Sequence, residues 1–283
     1  MSTRRLTFKD HRRELGQNRY VYAVVSRRAR GLSIGINLNP DKVCNFDCPY
    51  CQVDRSPEGM AGVSSGVEVA RLVEELDVLL GWVTDGTLWS HAPFDTTDPA
   101  LRRVADIAFA GDGEPTSSRA FAAAAEQVHA ARDRHGLHDT PIRLLTNATL
   151  LHREGVRRGL ASIDEVWAKL DAGTEAWFHR VDGTTFPFAR VLQNLAELAR
   201  ERPITIQAMF PAIAGAGPSS VEIDAWVDRL REIRDSGGTI AAVQVYTVAR
   251  DPSDPSFGPL PAEQLAQVAA RARAAGLPAH VYG

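Results

Sequence analysis

The sequence predicts an α/β protein built as a partial (β/α)6 TIM-type barrel with parallel strands. Two patterns indicate this fold class. Six short runs of aliphatic and β-branched residues recur along the chain, and longer segments with a helical spacing of apolar residues separate them. Strands that alternate with helices form parallel sheets, because each helix carries the chain back to the start of the next strand. At 283 residues the chain is long enough for one such barrel.

The predicted elements follow in chain order, and most end at a recognisable stop signal. Strands are predicted at residues 31–38, 106–111, 141–147, 165–171, 204–210 and 240–248. Helices are predicted at residues 67–83, 120–136, 188–202, 219–236 and 262–276. Gly136 and Pro203 stand where helices should end, since glycine adopts the left-handed cap and proline cannot continue a helix. Residues 211–220 lack periodicity, which predicts a loop.

Composition and charge limit the class of protein. The chain is 44% hydrophobic and 24% charged, which is typical of globular proteins and excludes fibrous or disordered chains. No apolar run approaches the roughly 20 residues that span a bilayer, and the start has no apolar signal region. No membrane association and a cytoplasmic location are therefore expected.

The beginning of the chain is basic. Residues 1–31 hold nine Lys and Arg against only Asp10 and Glu14. We predict a basic N-terminal extension at residues 1–30 and a barrel domain at residues 31–283. The extension either meets the phosphates of a nucleic acid or an acidic substrate, or forms a solvated face paired with acids of the main domain. Residues 17–26 are either an extra edge strand or a segment that lies across the barrel.

All three cysteines lie within eight residues, as Cys44, Cys48 and Cys51 in a C-x3-C-x2-C spacing. An odd, clustered set suits metal ligation in a reducing compartment better than disulfides. A four-iron cluster normally takes four protein ligands, so three leave one iron open to another chelator. The alternatives are a zinc site, completed by His11 or His91, and buried inert cysteines.

With Tyr50 directly before the last cysteine, this spacing resembles the radical S-adenosylmethionine (SAM) superfamily. Residues 26–52 are most similar to its wyosine-synthase-like branch. The resemblance implies a [4Fe-4S] cluster held by the three cysteines and SAM bound to the open iron. It also implies that reductive cleavage of SAM gives a 5′-deoxyadenosyl radical, which abstracts hydrogen from a substrate. Since no cysteines remain for the second cluster of wyosine enzymes, wyosine chemistry itself is not expected.

The resemblance further implies a SAM site at the strand ends, where the barrel fold places active sites. Residues 111–114 match the superfamily's "GGE" motif, and Tyr50 occupies the position next to the adenine. The implied cofactor-binding residues are Tyr50, Gly111, Asp112, Gly113, Glu114, Asn147, Lys169 and Gln207. Structural alternatives are packing for Tyr50, a tight turn at 111–114, and an Asx turn or helix cap for Asn147.

Three candidate catalytic residues come from the later strands. Trp167, Lys169 and Asp171 share one strand face by the two-residue period, and charges facing a barrel interior are costly unless paired or functional. Lys169 and Asp171 are therefore placed in the cavity, with a structural ion pair as the alternative. Arg250, after the last strand, is a candidate for substrate or carboxylate contact, although it and Gln207 can equally be core or surface residues.

The predicted function is that of a radical SAM enzyme acting on a small molecule or a natural-product intermediate. One alternative is modification of a tRNA nucleotide, suggested by the wyosine branch and the basic extension. A second alternative is a non-catalytic iron–sulfur or electron-transfer protein. A flavodoxin or ferredoxin-like electron donor is the expected partner of the enzyme.

Overall fold

The computed structural model describes residues 18–26, 30–60, 66–250 and 252–282. The chain divides into two compact units. The first contains the described residues of Met1–Val43, Gly62–Leu144 and Glu154–Asp164, and the second those of Cys44–Ala61, Leu145–Arg153 and Glu165–Gly283. Most of the basic N-terminal extension falls at residues 1–17 and 27–29, outside the described residues, so its boundary at residue 30 stays a prediction.

The first unit alternates strands with helices. Its elements are β1 (Val21–Ser26), β2 (Gly31–Ile36), α1 (Val69–Thr84), β3 (Val104–Phe109), α2 (Phe121–Arg134), β4 (Ile142–Thr146) and α3 (Glu154–Leu160). Only the first three residues of β4 belong to this unit. Strand β1 pairs antiparallel with β2, whereas the pairs β2–β3 and β3–β4 are parallel. Short 3₁₀ helices lie at Thr87–Ser90, Phe94–Thr96, Pro99–Leu101 and Pro115–Ser117.

Strand β1 resolves one question left open by the sequence, because residues 21–26 form a strand of the sheet. The buried carboxylate of Glu75 anchors the start of β1. Glu75 of α1 accepts the backbone N–H of Tyr20 at 2.8 Å and that of Val21 at 3.1 Å. Helix α1 packs through leucines that recur at helical spacing and are fully buried, namely Leu72, Leu76, Leu79 and Leu80.

The second unit continues the alternation. Its elements are β5 (Glu165–Lys169), α4 (Glu175–Asp182), α5 (Phe188–Glu201), β6 (Ile204–Met209), β7 (Pro211–Ile213), α6 (Ser220–Asp235), β8 (Ile240–Tyr246), β9 (Phe257–Pro259), α7 (Ala262–Ala274) and β10 (Ala279–Tyr282). The pairs β5–β6, β6–β8 and β8–β10 are parallel. Strands β7 and β9 form a separate antiparallel pair. Helix α5 buries one apolar stripe through Val191, Leu195 and Leu198.

The predicted fold class, a parallel α/β sheet of the partial-barrel type, is confirmed. The main sheet has eight strands in the order β1-β2-β3-β4-β5-β6-β8-β10, and it includes all six predicted strands. The differences are short or terminal elements. Residues 211–213, predicted as loop, form β7, and residues 279–282 form β10. Three or four residues are too few to show a period in the sequence. These residues form strands because β7 pairs with β9 and β10 pairs with β8.

Candidate functional site

The three cysteines lie on the loop that follows β2, within the second unit, and each is partly exposed. The backbone N–H of Cys51 donates to the carbonyl of Cys48 at 2.8 Å, which turns the loop between these two residues. Two N–H groups approach the sulfur atoms. The backbone of Phe46 donates to Cys44 Sγ at 3.5 Å, and Arg55 Nη1 donates to Cys51 Sγ at 3.3 Å. Iron–sulfur clusters accept hydrogen bonds at their cysteine sulfur atoms, so such donors suit a cluster site.

The donor set of this loop suits an iron–sulfur cluster. In a cluster each thiolate binds a different iron, so the sulfur atoms need not converge on one ion. Among the residues that the structure describes, no group of three His, Cys, Asp or Glu is arranged to hold a single metal ion. Cys44, Cys48 and Cys51 are the residues that would hold a cluster, as the sequence resemblance implies, and this assignment stays a prediction.

A network of side-chain amides and a hydroxyl anchors the start of the cysteine loop. Asn147 Nδ2 donates to Asn45 Oδ1 at 2.7 Å, and Asn45 Nδ2 donates to Thr149 Oγ1 at 2.6 Å. Asn147 Oδ1 accepts the Thr149 backbone N–H at 3.2 Å, which is the Asx turn that the sequence offered as an alternative. Asn147 is buried, and its predicted SAM contact stays a prediction beside this structural role.

A segment after β8, residues 252–257, is hydrogen-bonded to the cysteine loop, and we call it the strap. Ser253 N–H donates to the carbonyl of Cys51 at 3.1 Å, and Asp254 N–H donates to that of Pro49 at 3.0 Å. The Ser253 hydroxyl also donates to Pro49, at 2.8 Å. Loop and strap together border a cavity of about 450 Å³ whose lining includes Cys51, Arg55 and Ser253.

A buried charged cluster, formed by Lys169, Asp171 and Asp182, lies next to the cysteine loop within the second unit. The Lys169 ammonium contacts the Asp171 carboxylate and lies 2.8 Å from Asp182 Oδ1. Tyr50 connects the cluster to the loop, because its hydroxyl donates to Asp171 Oδ2 at 2.5 Å and its ring lies 4.5 Å from Lys169 Nζ. Cys48 Sγ lies 3.9 Å from Asp182 Oδ1.

Burial and mutual charge set the protonation of this cluster. Burial raises the pKa of Asp182 to about 7; Lys169 opposes this rise and Asp171 adds to it. Burial raises the pKa of Asp171 as well, against the opposing charge of Lys169. Burial acts to lower the pKa of Lys169, but the two carboxylates outweigh it and hold that pKa well above its usual value. The cluster thus keeps a charged lysine between two acids, and Asp182 takes up a proton near neutral pH.

In the first unit, the turn after β3 is packed tightly against the chain that follows β2. A Cβ on Gly111 would lie 2.3 Å from Asn37 Oδ1, and one on Gly113 would lie 2.2 Å from the carbonyl of Val43, the residue before Cys44. Asn37 Nδ2 also donates to Asp112 Oδ2 at 2.7 Å. Only glycine fits so close an approach, so packing alone explains why the motif has glycine at positions 111 and 113.

The carboxylate of Glu114 is buried and caps the short helix that follows it. Glu114 Oε1 accepts the backbone N–H of Thr116 at 3.1 Å and its hydroxyl at 2.5 Å. The Ser117 hydroxyl donates to the Glu114 carbonyl at 2.6 Å and accepts from Asn39 Nδ2 at 3.1 Å. Hydrogen bonds and close packing therefore hold the turn at 111–114, and its predicted contact with the SAM amino group stays a prediction.

The two remaining predicted site residues differ in environment. Gln207 is buried on β6 and donates to Gln244 Oε1 of β8 at 3.1 Å, across a parallel strand pair. Arg250 is exposed and lies between β8 and the strap. The roles proposed for these two residues from the sequence stay predictions.

The structure adds Asp182, Asn45 and Arg55 to the candidate residues. Asp182 has no signal of its own in the sequence; it precedes Gly183, which ends α4 in the left-handed region with a φ of 55°. A Cβ on Gly183 would lie 1.9 Å from the carbonyl of Asp47, so only glycine lets this helix end meet the cysteine loop. Asn45 and Arg55 have no periodicity that separates them from ordinary loop residues.

No family model matches the chain. Among curated proteins, it is 27% identical to the GTPase Obg of Brachyspira hyodysenteriae over 180 residues, which is 62% of this chain and 23% of that protein. It is 26% identical to a UPF0026 protein of Methanocaldococcus jannaschii over 166 residues, 57% of this chain and 43% of that protein. The chain thus spans less than half the length of these relatives. The phosphate loop of a P-loop GTPase requires a glycine directly before a lysine, and this sequence has no such pair.

Solved radical SAM structures share the fold. A radical SAM methyltransferase from Sphaerobacter thermophilus matches with a TM-score of 0.62 and 15% identity, covering 93% of this chain and 68% of that one. Streptococcus suis SuiB bound to S-adenosylmethionine matches at 0.60 and 13%, covering 91% and 52%. TYW1 with a lysine-pyruvate adduct matches at 0.53 and 13%, covering 87% and 74%. The chain therefore has the fold of radical SAM enzymes, as the sequence resemblance predicts. No described helix is both long and apolar enough to cross a membrane.

Proposed function

We propose that this chain is a radical SAM enzyme with one [4Fe-4S] cluster held by Cys44, Cys48 and Cys51. The observation that carries the proposal is the cysteine loop, which presents three thiols and directs N–H donors at the sulfur atoms of two of them. The fold shared with radical SAM structures supports it. The chain has three cysteines, so one iron of a four-iron cluster would have no cysteine ligand and would be open to SAM.

When bound, the cluster and SAM supply reductive cleavage of the SAM carbon–sulfur bond and a 5′-deoxyadenosyl radical that abstracts hydrogen from the substrate. A flavodoxin or ferredoxin-like partner is the proposed source of the electron. The residues of the chain do the positioning. Asn45 and Asn147 hold the start of the cysteine loop, and the strap holds its end. A fixed loop keeps the reacting groups in place, which is the protein's main contribution to such chemistry.

The remaining predicted residues are proposed to bind SAM and substrate. The turn at residues 111–114 is proposed to bind the SAM amino group, and Tyr50, Asn147 and Gln207 are proposed to contact other parts of SAM. Lys169 holds its proton between Asp171 and Asp182, which places a fixed positive charge beside Tyr50. Lys169 and Asp171 are the proposed catalytic residues of this cluster. Arg250, which is exposed after β8, is proposed to bind the substrate.

The substrate class we favour is a small molecule or a natural-product intermediate. Modification of a tRNA nucleotide is the second candidate, and it rests on the nine basic residues among residues 1–31. Tight tRNA binding at low salt that weakens steeply as salt rises would favour the second candidate, because phosphate contacts release counterions.

The proposal is tested by anaerobic reconstitution with iron and sulfide, followed by incubation with SAM and dithionite. We expect a visible absorption band of the cluster and 5′-deoxyadenosine detected by chromatography. Cys48→Ala should lose both, because it removes one of three iron ligands. A reconstituted wild-type protein that holds a cluster but forms no 5′-deoxyadenosine would reject the enzyme and favour an electron-transfer protein.

A further inference from the structure

Arg55 stands four residues after Cys51, and its guanidinium is directed back at the sulfur of that residue. The distance from Arg55 Nη1 to Cys51 Sγ is 3.3 Å, within the range of an N–H···S hydrogen bond. Arg55 is partly buried in the lining of the 450 Å³ cavity beside the loop. Arginine stays protonated in proteins, so it brings a permanent positive charge to this cysteine.

The surroundings of Arg55 reinforce this charge. Burial acts to lower the pKa of Arg55, but the hydrogen bond with Cys51 and the charges of Cys51, Cys44 and Asp47 raise it overall. The side chain therefore faces negative groups of the cysteine loop rather than a neutral surface. A second N–H donor to a cysteine of the loop is the backbone of Phe46, which no side-chain change removes. The guanidinium of Arg55, in contrast, can be removed by substitution.

We propose that Arg55 sets the reduction potential of the cluster by donating to Cys51 Sγ. This inference rests on the proposed function, since it presumes a cluster on Cys51. Reduction adds one electron to the cluster and makes its thiolates better hydrogen-bond acceptors. A cation bonded to one of them stabilises the reduced form more than the oxidised form, and so raises the potential. Arg55 acts through Cys51 and not on the substrate, which makes it a positioning residue.

The size of the effect follows from the strength of a charged hydrogen bond. A hydrogen bond to a charged group is stronger than one between neutral groups, and only the difference in its strength between the two oxidation states shifts the potential. We expect removal of the guanidinium to make cluster reduction about tenfold less favourable, which for one electron is about 59 mV.

The experiment measures the midpoint potential of the reconstituted cluster by redox titration, followed by electron paramagnetic resonance. The variants are Arg55→Met, which removes both charge and donor, and Arg55→Lys, which keeps the charge. Arg231→Met is the matched control, because it removes one arginine charge from an exposed pair with Asp228 on α6. We expect a lower midpoint for Arg55→Met, a partial return for Arg55→Lys and no change for Arg231→Met.

Two results overturn the inference. One is a midpoint in Arg55→Met that equals that of the wild type. The other is the loss of the cluster from both Arg55 variants while Arg231→Met retains it, because Arg55 would then hold the loop instead of tuning the potential. If only Arg55→Met loses the cluster, Arg55→Gln, which removes the charge and keeps a donor, replaces it, and a midpoint equal to that of the wild type again overturns the inference. Absence of any cluster in the wild type would instead reject the proposed function.

Discussion

At the scale of single residues, Lys169 and Asp171 form the ion pair that the sequence offered as the alternative to a cavity role, and the cavity role stays a prediction. The two-residue strand period places both on one face, and the structure shows them in contact in a buried cluster. Asp182 completes the cluster, but it is 11 residues further along the chain, on α4, beyond any local periodicity. Both carboxylates are almost fully buried, so their partners decide whether the cluster costs or contributes stability.

Asp171→Asn should lower the free energy of unfolding of the apoprotein by about 1.5–3 kcal/mol. The asparagine amide is neutral, so it no longer pairs with the charge of Lys169. The Met209 N–H donates to Asp171 Oδ1 at 2.9 Å, and asparagine keeps this hydrogen bond only if its amide oxygen faces Met209. Lys169 keeps Asp182, so the loss stays below that of an isolated buried charge. Urea titration followed by circular dichroism measures it.

Asp228→Asn is the control for that change. Its ion pair with Arg231 is about half exposed on both sides, and exposed pairs contribute roughly 0–1 kcal/mol. Equal losses for the two variants would show that the buried cluster adds nothing to stability beyond an exposed pair.

At the scale of elements, helix α6 holds the chain that leaves β5. The Trp226 indole N–H donates to the carbonyl of Leu170 at 3.0 Å, and Glu222 accepts the Gly173 N–H at 2.6 Å and the Thr174 hydroxyl at 2.6 Å. Asp171 lies inside this segment, so α6 fixes the backbone that carries the charged cluster. The helix itself was predicted from its apolar spacing, whereas its contact with this segment was not.

Gly173→Ala should destabilise the protein by about 1–3 kcal/mol, as overpacked positions do. Its new Cβ would lie 2.0 Å from the backbone nitrogen of Trp226, and a helix backbone cannot move aside as a side chain can. Thermal unfolding measures the change.

The matched substitution is Gly155→Ala on α3, where the nearest atom is 4.0 Å away at the flexible end of Arg158. We expect it to stabilise the protein by about 0.4–1 kcal/mol, because alanine restricts the unfolded chain. A Gly173→Ala variant as stable as Gly155→Ala would mean that α6 does not pack closely on this segment.

At the scale of the whole molecule, the cysteine loop belongs to the second unit, although it follows a strand of the first. Its anchors come from residues about 100 and 200 positions further along the chain, namely Asn147 and the strap. A ligand bound to this loop would therefore stabilise distant parts of the second unit.

Loading of the iron–sulfur cluster should raise the apparent unfolding temperature by at least about 2 °C, because a group that binds only the folded state stabilises it. Differential scanning fluorimetry under anaerobic conditions compares wild-type protein before and after reconstitution, with iron content measured in parallel. Cys48→Ala treated in the same way should show no rise. An unchanged unfolding temperature in wild-type protein that has taken up iron would contradict a cluster site coupled to the fold.

The sequence by itself determined the fold class, the six central strands, the long helices and the cysteine spacing. These are local properties, because the period of apolar residues and the spacing of ligands are written within single segments. Only the tertiary structure decided the partners of those residues. It brought Asp182 to Lys169, Asn147 to Asn45, the strap to the cysteine loop and β10 to β8. Those contacts join distant segments, and chain packing rather than any local period sets them.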